Sequence, residues 1–182
     1  MPSVEELNLL PEDAVRLALR GCCSSGRWID AVTAARPFGG EAELLAASDA
    51  AVAGMAKADL TEALAGHPRI GDRRVVAERG DSAGSSPLAS TELGGGWSSQ
   101  EQAGVRDADA GMRQALEEGN AEYERRFGHI YLACATGRSA SELLAFLRER
   151  LGNDDETEWT VVASELTKIN QIRLRKLLGP GT

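Results

Sequence analysis

The residue best suited to acid–base chemistry is His67, one of only two histidines in the chain. An imidazole can give or take a proton near neutral pH. Pro68 disfavours helical backbone at the residue before it, which predicts that a helix ends at His67 and that the ring is held stiffly there. Two interpretations follow: His67 is a catalytic acid or base, or it is a helix C-cap followed by a proline stop.

Three further polar residues could join this chemistry, and they lie far from His67 in the chain. They are Glu101, Gln102 and Arg173, so the fold must bring them together. Two of them have structural alternatives. Ser98 and Glu101 have the Ser-x-x-Glu spacing of a helix capping box. Arg173 lies near the end of the last predicted helix, where a solvated positive charge suits the helix dipole.

The common cofactor and nucleophile motifs do not occur. The sequence has no Walker loop, no Gly-x-Gly-x-x-Gly after a strand and no His-Glu-x-x-His. Its three cysteines, Cys22, Cys23 and Cys134, form neither a metal-ligand spacing nor an even disulfide framework, which predicts a reducing cytoplasmic compartment and no metal site. The apolar neighbours of Cys134 favour a packing role over a nucleophile. His129 is likewise more typical of packing than of a second catalyst.

Length and charge narrow the class of protein. A chain of 182 residues is long enough for one domain with a substantial core. Its formal net charge of −8 argues against nucleic-acid binding, which needs clustered positive charge, and favours a small-molecule partner. Glu5 and Glu6 stand where a secretory signal would be positive, and no apolar run reaches membrane-spanning length, so we expect no membrane association.

The elements that must position these residues are predicted to be helices, because apolar residues recur almost throughout with helical spacing. We predict an all-α fold in a single domain over 1–182. Helices are expected after Pro11 up to Gly21, after Gly26, over 41–66 in pieces divided near 48–49 and 57–59, through 105–127 with a break at 118–120, from the Ser139/Glu142 capping box to Gly152, and over 154–178.

Two segments depart from the helical pattern. Residues 79–96 are rich in glycine, serine and proline and end in three glycines, which predicts a flexible loop rather than a phosphate cradle. Residues 127–135 form the one apolar stretch that could be extended, and it is too isolated to make a sheet.

A series of short motifs resembles the OHCU decarboxylase family over almost the whole chain. Each motif is weak alone, and the ordered set is specific. In chain order they are Arg36-Pro37-Phe38, His67-Pro68-Arg69-Ile70-Gly71, Ser98-x-x-Glu101-Gln102-x-Gly104, Asn120-x-x-Tyr123-x-x-Arg126-Phe127-Gly128, Gly137-Arg138-Ser139, Arg150-Leu151-x-Asn153 and Ile172-Arg173-Leu174.

The resemblance implies a cytoplasmic, all-helical homodimer that needs no cofactor. It implies decarboxylation of 2-oxo-4-hydroxy-4-carboxy-5-ureidoimidazoline to (S)-allantoin and carbon dioxide in urate breakdown. It also implies site roles: a catalytic acid/base, His67, with a carboxylate companion, Glu101, and a substrate pocket formed by Pro68, Ser98, Gln102, Tyr131, Leu132, Ala133, Cys134, Ala135 and Arg173.

Two alternatives remain open at the level of sequence. The chain could be a helical ligand-binding or scaffold module that has lost catalysis, with His67 and Glu101 surviving as caps. It could also be a lyase or isomerase acting on another cyclic amide. The presence of Ser98 and Gln102 together with both candidate catalytic groups favours the decarboxylase.

Overall fold

Helices form the architecture of the part of the chain that the computed structural model describes, which is residues 2–71, 97, 100–106 and 108–179. No strand occurs among these residues, so the predicted all-α class is confirmed. In chain order the helices are α1 (Val4–Leu9), α2 (Glu12–Arg20), α3 (Gly26–Ala34), α4 (Glu41–Ala53), α5 (Lys57–Leu64), α6 (Ala103–Arg106), α7 (Ala110–Phe127), α8 (Ala140–Arg150) and α9 (Asp155–Leu178).

Helix ends follow the capping residues where the sequence supplies them. At the start of α8 the Glu142 N–H donates to Ser139 Oγ at 3.3 Å, and the Ser139 N–H donates to the Glu142 carboxylate at 2.7 Å. This reciprocal pair is the predicted capping box. The predicted boundaries of α2, α3 and α9 also agree with the structure to within one or two residues.

Two predicted helix breaks are wrong. The helix α4 runs without interruption past 48–49, and the chain breaks instead at 54–56. The helix α7 continues through 118–120, because Gly119 serves packing rather than helix termination. A Cβ at Gly119 would lie 2.9 Å from Cδ2 of Leu147, so its absence lets α7 and α8 approach closely. The short helix α1 was not predicted.

The core consists of two clusters of buried side chains, and the segment 130–135 runs between them. Ile130, Leu132 and Cys134 contact the cluster formed by α1–α5 and α9. Tyr131, Ala133 and Ala135 contact the cluster formed mainly by α7 and α8. Alternate residues therefore face opposite sides, as in an extended chain. This agrees with the extended conformation predicted for the stretch, which pairs with no strand in the described structure.

Three predictions concern parts of the chain that the structure does not cover. The loop at 79–96 and Ser98 lie outside the described residues. The single domain over 1–182 therefore stays a prediction. Within the described helices, none combines the length and apolar character needed to cross a membrane.

Candidate active site

The His67 ring is oriented by the end of α5. The helix ends at Leu64, whose carbonyl accepts from the His67 backbone N–H at 3.0 Å. The ring Nδ1 lies 2.9 Å from the Ala63 carbonyl oxygen. A carbonyl only accepts, so Nδ1 carries the ring proton and Nε2 presents its lone pair. Nε2 is buried and hydrogen-bonds to none of the described residues.

This geometry combines the two interpretations of His67. One ring nitrogen satisfies a carbonyl at the helix end, as a capping residue does. That bond fixes the tautomer and leaves the other nitrogen as a hydrogen-bond acceptor at the cleft. A capping contact of this kind is therefore compatible with a role in proton transfer.

A cleft lies beside His67 and gathers every described residue that was predicted for the site. The cleft is narrow, with a cavity volume of only about 20 Å³, and it is partly open to solvent. The predicted residues on its wall are His67, Pro68, Glu101, Gln102, Tyr131, Leu132, Ala133, Cys134, Ala135 and Arg173, and the wall also includes Ile70, Thr136, Ile169 and Ile172, which were not predicted. Most of the unpredicted residues are apolar, and their helical positions alone did not distinguish cleft from core.

Burial and the nearby Arg173 charge keep the His67 imidazole neutral. Burial, and to a lesser degree the Arg173 guanidinium, lower the His67 pKa to about 4, against weaker opposing effects of the Ala63 hydrogen bond and the Glu101 carboxylate. Burial lowers this pKa because it disfavours the charged form. Near neutral pH the ring is therefore a free base, able to accept a proton at Nε2.

Glu101 and Arg173 form a buried ion pair with two hydrogen bonds. Arg173 Nε lies 3.2 Å from Oε1 and Nη2 lies 3.0 Å from Oε2 of Glu101. Lys176 Nζ approaches Oε1 at 3.5 Å. Arg173 is only 2% exposed, so its interpretation as a solvated basic helix end is wrong. Glu101 does not hydrogen-bond to His67, because Nε2 has no partner among the described residues and Nδ1 is bound to Ala63.

Gln102 braces the backbone that follows His67. Its Oε1 accepts from the Gly71 N–H at 2.9 Å, and its Nε2 donates to the Arg69 carbonyl at 3.3 Å. Asn120 Nδ2 donates to the Ile70 carbonyl at 3.0 Å. Two side-chain amides thus hold the turn at 69–71, and at most one N–H of Gln102 is left for a ligand.

The wall at 131–135 presents backbone rather than reactive side chains. Ala133 lines the cleft, and its N–H and C=O hydrogen-bond to no described residue. Burial raises the pKa of the Cys134 thiol, which disfavours the thiolate and a nucleophilic role. His129 lies in an aromatic cluster, with its ring centroid 4.3 Å from that of Trp159, which agrees with a packing role.

Three buried charges near the cleft were missed by the sequence analysis. Arg150, Glu158 and Glu165 are at most 1% exposed. Arg150 follows Leu143 and Leu147 at helical spacing, so it falls on an apolar stripe, as Glu165 does on α9. A charged residue on an apolar stripe indicates a buried charge with a buried partner. This pattern was the feature of the sequence that could have revealed these residues. In the described chain no three His, Cys, Asp or Glu side chains form a metal-ligand group.

Comparison with known proteins identifies the family to which the chain is similar. A sequence model of the family described as OHCU decarboxylase matches residues 8–175. The chain is 28% identical over 156 residues to the uric acid degradation bifunctional protein TTL of Arabidopsis thaliana, covering 86% of this chain and 45% of that protein. It is 38% identical over 79 residues to a 2-oxo-4-hydroxy-4-carboxy-5-ureidoimidazoline decarboxylase of Amia calva, covering 43% of this chain and 45% of that protein.

Solved structures give the same fold. A crystal structure of OHCU decarboxylase in the presence of (S)-allantoin superposes with a TM-score of 0.70 at 26% identity, covering 89% of this chain and 97% of that chain. A structure of (S)-allantoin synthase, 17% identical, has a TM-score of 0.68 and shares the fold. The chain spans about half the length of the two curated relatives above, with 45% of each matched.

Proposed function

Because the chain belongs to the OHCU decarboxylase family, we propose that it converts 2-oxo-4-hydroxy-4-carboxy-5-ureidoimidazoline to (S)-allantoin and carbon dioxide in urate degradation. One observation supports this proposal above the others. A neutral imidazole, whose Nε2 hydrogen-bonds to no described residue, lines a cleft that also holds a buried Arg173–Glu101 pair. These groups suit proton transfer beside an anionic substrate.

The reaction needs an electron sink, and the substrate contains one. When the bond to the carboxylate breaks, its electron pair forms a double bond to the neighbouring ring carbon, and the imine nitrogen takes a proton from water. The product of this step is an enol and carbon dioxide. Many decarboxylases depend on a cofactor to accept such a pair. We therefore propose that this chain works without one, and that the protein orients the carboxylate and manages protons.

His67 is the proposed acid–base catalyst. Its Nε2 takes the enol hydroxyl proton, and the imidazolium so formed delivers a proton to the ring carbon that bears the ureido group. The carbonyl of allantoin and its new C–H bond result. A resting pKa of about 4 keeps the ring neutral near pH 7, with Nε2 unprotonated. The Ala63 hydrogen bond holds Nε2 on one face of the substrate, so protonation is stereospecific.

The buried Glu101–Arg173 pair is proposed to place positive charge beside the substrate. Glu101 holds the Arg173 guanidinium in one orientation through two hydrogen bonds, so Glu101 acts here through Arg173 rather than as a direct hydrogen-bond companion of His67. Arg173 and the nearby Lys176 supply positive charge next to the departing carboxylate and the developing oxyanion.

The remaining cleft residues are proposed to bind the ring and the ureido group. The Ala133 backbone N–H and C=O match the planar amide edges of the substrate. Pro68, Leu132, Cys134, Ala135 and Tyr131 complete the enclosing wall, and Ser98 is proposed to contribute a hydroxyl. Gln102 acts chiefly by fixing the turn at 69–71.

We further propose a homodimer and a cytoplasmic location. The family resemblance supports the dimer, and the three unpaired cysteines of the described chain suit a reducing compartment. Sedimentation at micromolar concentration should give a mass near twice 19.3 kDa. A species that stays at the mass of one chain up to about 100 μM would contradict the dimer.

The test of the function is turnover of freshly generated substrate. We expect the wild-type protein to accelerate substrate loss and carbon dioxide release in step, and His67→Asn to lose about 10²–10⁴-fold in kcat/KM with its helical content retained. Asparagine keeps a polar group at the end of α5 and lacks the basic nitrogen. A folded His67→Asn protein with full turnover would restrict His67 to capping, and an inactive wild-type protein would favour the scaffold alternative.

A further inference from the structure

We propose that Glu165 is a positioning residue that sets the backbone wall of the cleft from outside it. This inference uses the proposed decarboxylation for its kinetic readout. Glu165 lies on α9 and is 1% exposed, and it is not part of the cleft lining. Its carboxylate Oε2 accepts a hydrogen bond from the Cys134 backbone N–H at 2.8 Å.

Two basic side chains balance the charge of Glu165, one at each carboxylate oxygen. Lys168 Nζ lies 2.5 Å from Oε1, and Arg138 Nη1 lies 3.4 Å from Oε2. Lys168 is about half exposed, so it can neutralise the carboxylate without itself being fully desolvated. The Cys134 N–H therefore donates to a carboxylate that is paired with two basic side chains, and such charge-assisted hydrogen bonds are short and strong.

A second buried charge holds the same segment two residues earlier. Arg150 Nη1 donates to the Leu132 carbonyl at 2.5 Å, and its Nε donates to Glu158 at 2.9 Å. In an extended chain the N–H and C=O of one residue point to the same edge, and successive residues point to opposite edges. Leu132 and Cys134 therefore bond at one edge, and Ala133 presents its N–H and C=O at the other.

The hydrogen bonds from Glu165 and Arg150 take the place of the backbone hydrogen bonds that a sheet would supply. The segment 131–135 has no strand partner in the described structure, so no ladder of backbone hydrogen bonds fixes its place. Glu165 from α9 and Arg150 from α8 supply the missing bonds at one edge. These bonds thereby hold in place the N–H and C=O of Ala133, which line the cleft with His67 and hydrogen-bond to no described residue. A shift of about 1 Å in such a wall can cost about 10²-fold in rate.

Three substitutions separate positioning from charge and from stability. Glu165→Gln keeps an oxygen that can accept from the Cys134 N–H. Glu165→Asp keeps the charge and is one methylene shorter. Glu165→Ala removes the acceptor. If Glu165 acts by positioning, Glu165→Gln should stay within about threefold of wild-type kcat/KM. Glu165→Asp and Glu165→Ala should lose about 10- to 100-fold in kcat/KM, chiefly through kcat. Their product should also be less purely one enantiomer. Lys168→Ala, which removes an ion pair of Glu165 and keeps the Cys134 bond, should be near wild type.

All variants are assayed well below their melting temperatures and normalised to folded protein, and hydrogen exchange of the Cys134 amide is measured in parallel. We expect slow exchange in the wild type and in Glu165→Gln, and faster exchange in Glu165→Asp and Glu165→Ala.

The proposal is overturned, and Glu165 serves stability alone, if folded Glu165→Ala and Glu165→Asp keep wild-type kcat/KM. The same holds if neither of these two variants folds. An activity loss in Gln equal to that in Ala also overturns it. If wild type itself is inactive, the proposed function fails, and the exchange comparison still tests positioning.

Discussion

His67 shows how one side chain can serve the helix end and the cleft together. The bond from Nδ1 to Ala63 satisfies a terminal carbonyl of α5, and the same bond dictates which nitrogen is basic. The sequence predicted the helix end from Pro68 and the chemistry from the imidazole. It could not predict the tautomer, because that depends on where the ring lies relative to the Ala63 carbonyl.

The depressed pKa of His67 has a consequence for stability. Its folded-state pKa is about 4, whereas the ordinary value is 6.5, so between these values the unfolded chain binds a proton that the folded chain does not. Stability therefore falls as pH drops from about 6.5 towards 4. We predict that His67→Asn makes the free energy of unfolding less dependent on pH in this window. Denaturant titrations of both proteins at several pH values measure the difference.

His129, whose pKa burial also lowers, contributes a dependence of the same sign to both proteins. It cancels when the two curves are subtracted. Parallel wild-type and His67→Asn curves from pH 4 to pH 6.5 would contradict a buried neutral His67.

Glu101→Gln should lower both turnover and stability. Glutamine retains an oxygen for one Arg173 hydrogen bond, but it leaves a guanidinium that is 2% exposed without its counter-charge. We expect a loss of roughly 1–3 kcal/mol in stability and a fall in kcat/KM. The matched control is Glu41→Gln, which removes the surface pair with Arg175, where both side chains are about half exposed.

The control should change stability by less than about 1 kcal/mol and leave turnover unaltered. If folded Glu101→Gln protein has wild-type kinetics and melting, the buried pair contributes neither to turnover nor to stability.

At the scale of elements, local signals in the sequence located most helices and failed where a residue served a distant contact. The Ser139/Glu142 spacing gave the start of α8 because a capping box depends on four consecutive residues. Gly119 suggested a break because glycine is a poor helix former. In the structure it lies against Leu147 on another helix, a contact between residues 28 positions apart that no local pattern encodes.

Gly119→Ala should therefore destabilise the protein although alanine is the better helix former. The new Cβ would lie 2.9 Å from a Leu147 side chain that is fully buried and has little room to move. We expect a net loss of about 1–2 kcal/mol. The control is Gly111→Ala on the same helix, where the nearest atom to the new Cβ is 3.4 Å away. Thermal unfolding of the two variants compares them directly.

Gly111→Ala should be neutral or stabilising by up to about 1 kcal/mol. Equal stabilisation by both substitutions would show that α7 and α8 are not in close contact at Gly119.

At the scale of the molecule, the site combines segments that are distant in sequence, and this limited what could be predicted. His67, Glu101 and Arg173 were each found by residue type and by family resemblance. The burial of Arg173 and the anchoring of the cleft wall by Glu165 and Arg150 depend on how α8 and α9 lie against 131–135. Such contacts follow from tertiary packing, which composition and periodicity do not specify.

The proposed function requires a cleft that both accelerates decarboxylation and protonates one face of the enol. In solution the planar enol is protonated equally on both faces, so the uncatalysed reaction gives racemic allantoin. The most direct measurement is circular dichroism of the product formed from fresh substrate, recorded with and without the protein. We expect faster conversion with the protein present and a signal of (S)-allantoin alone. Conversion at the rate seen in buffer, with no circular dichroism from the product, would contradict the proposed function.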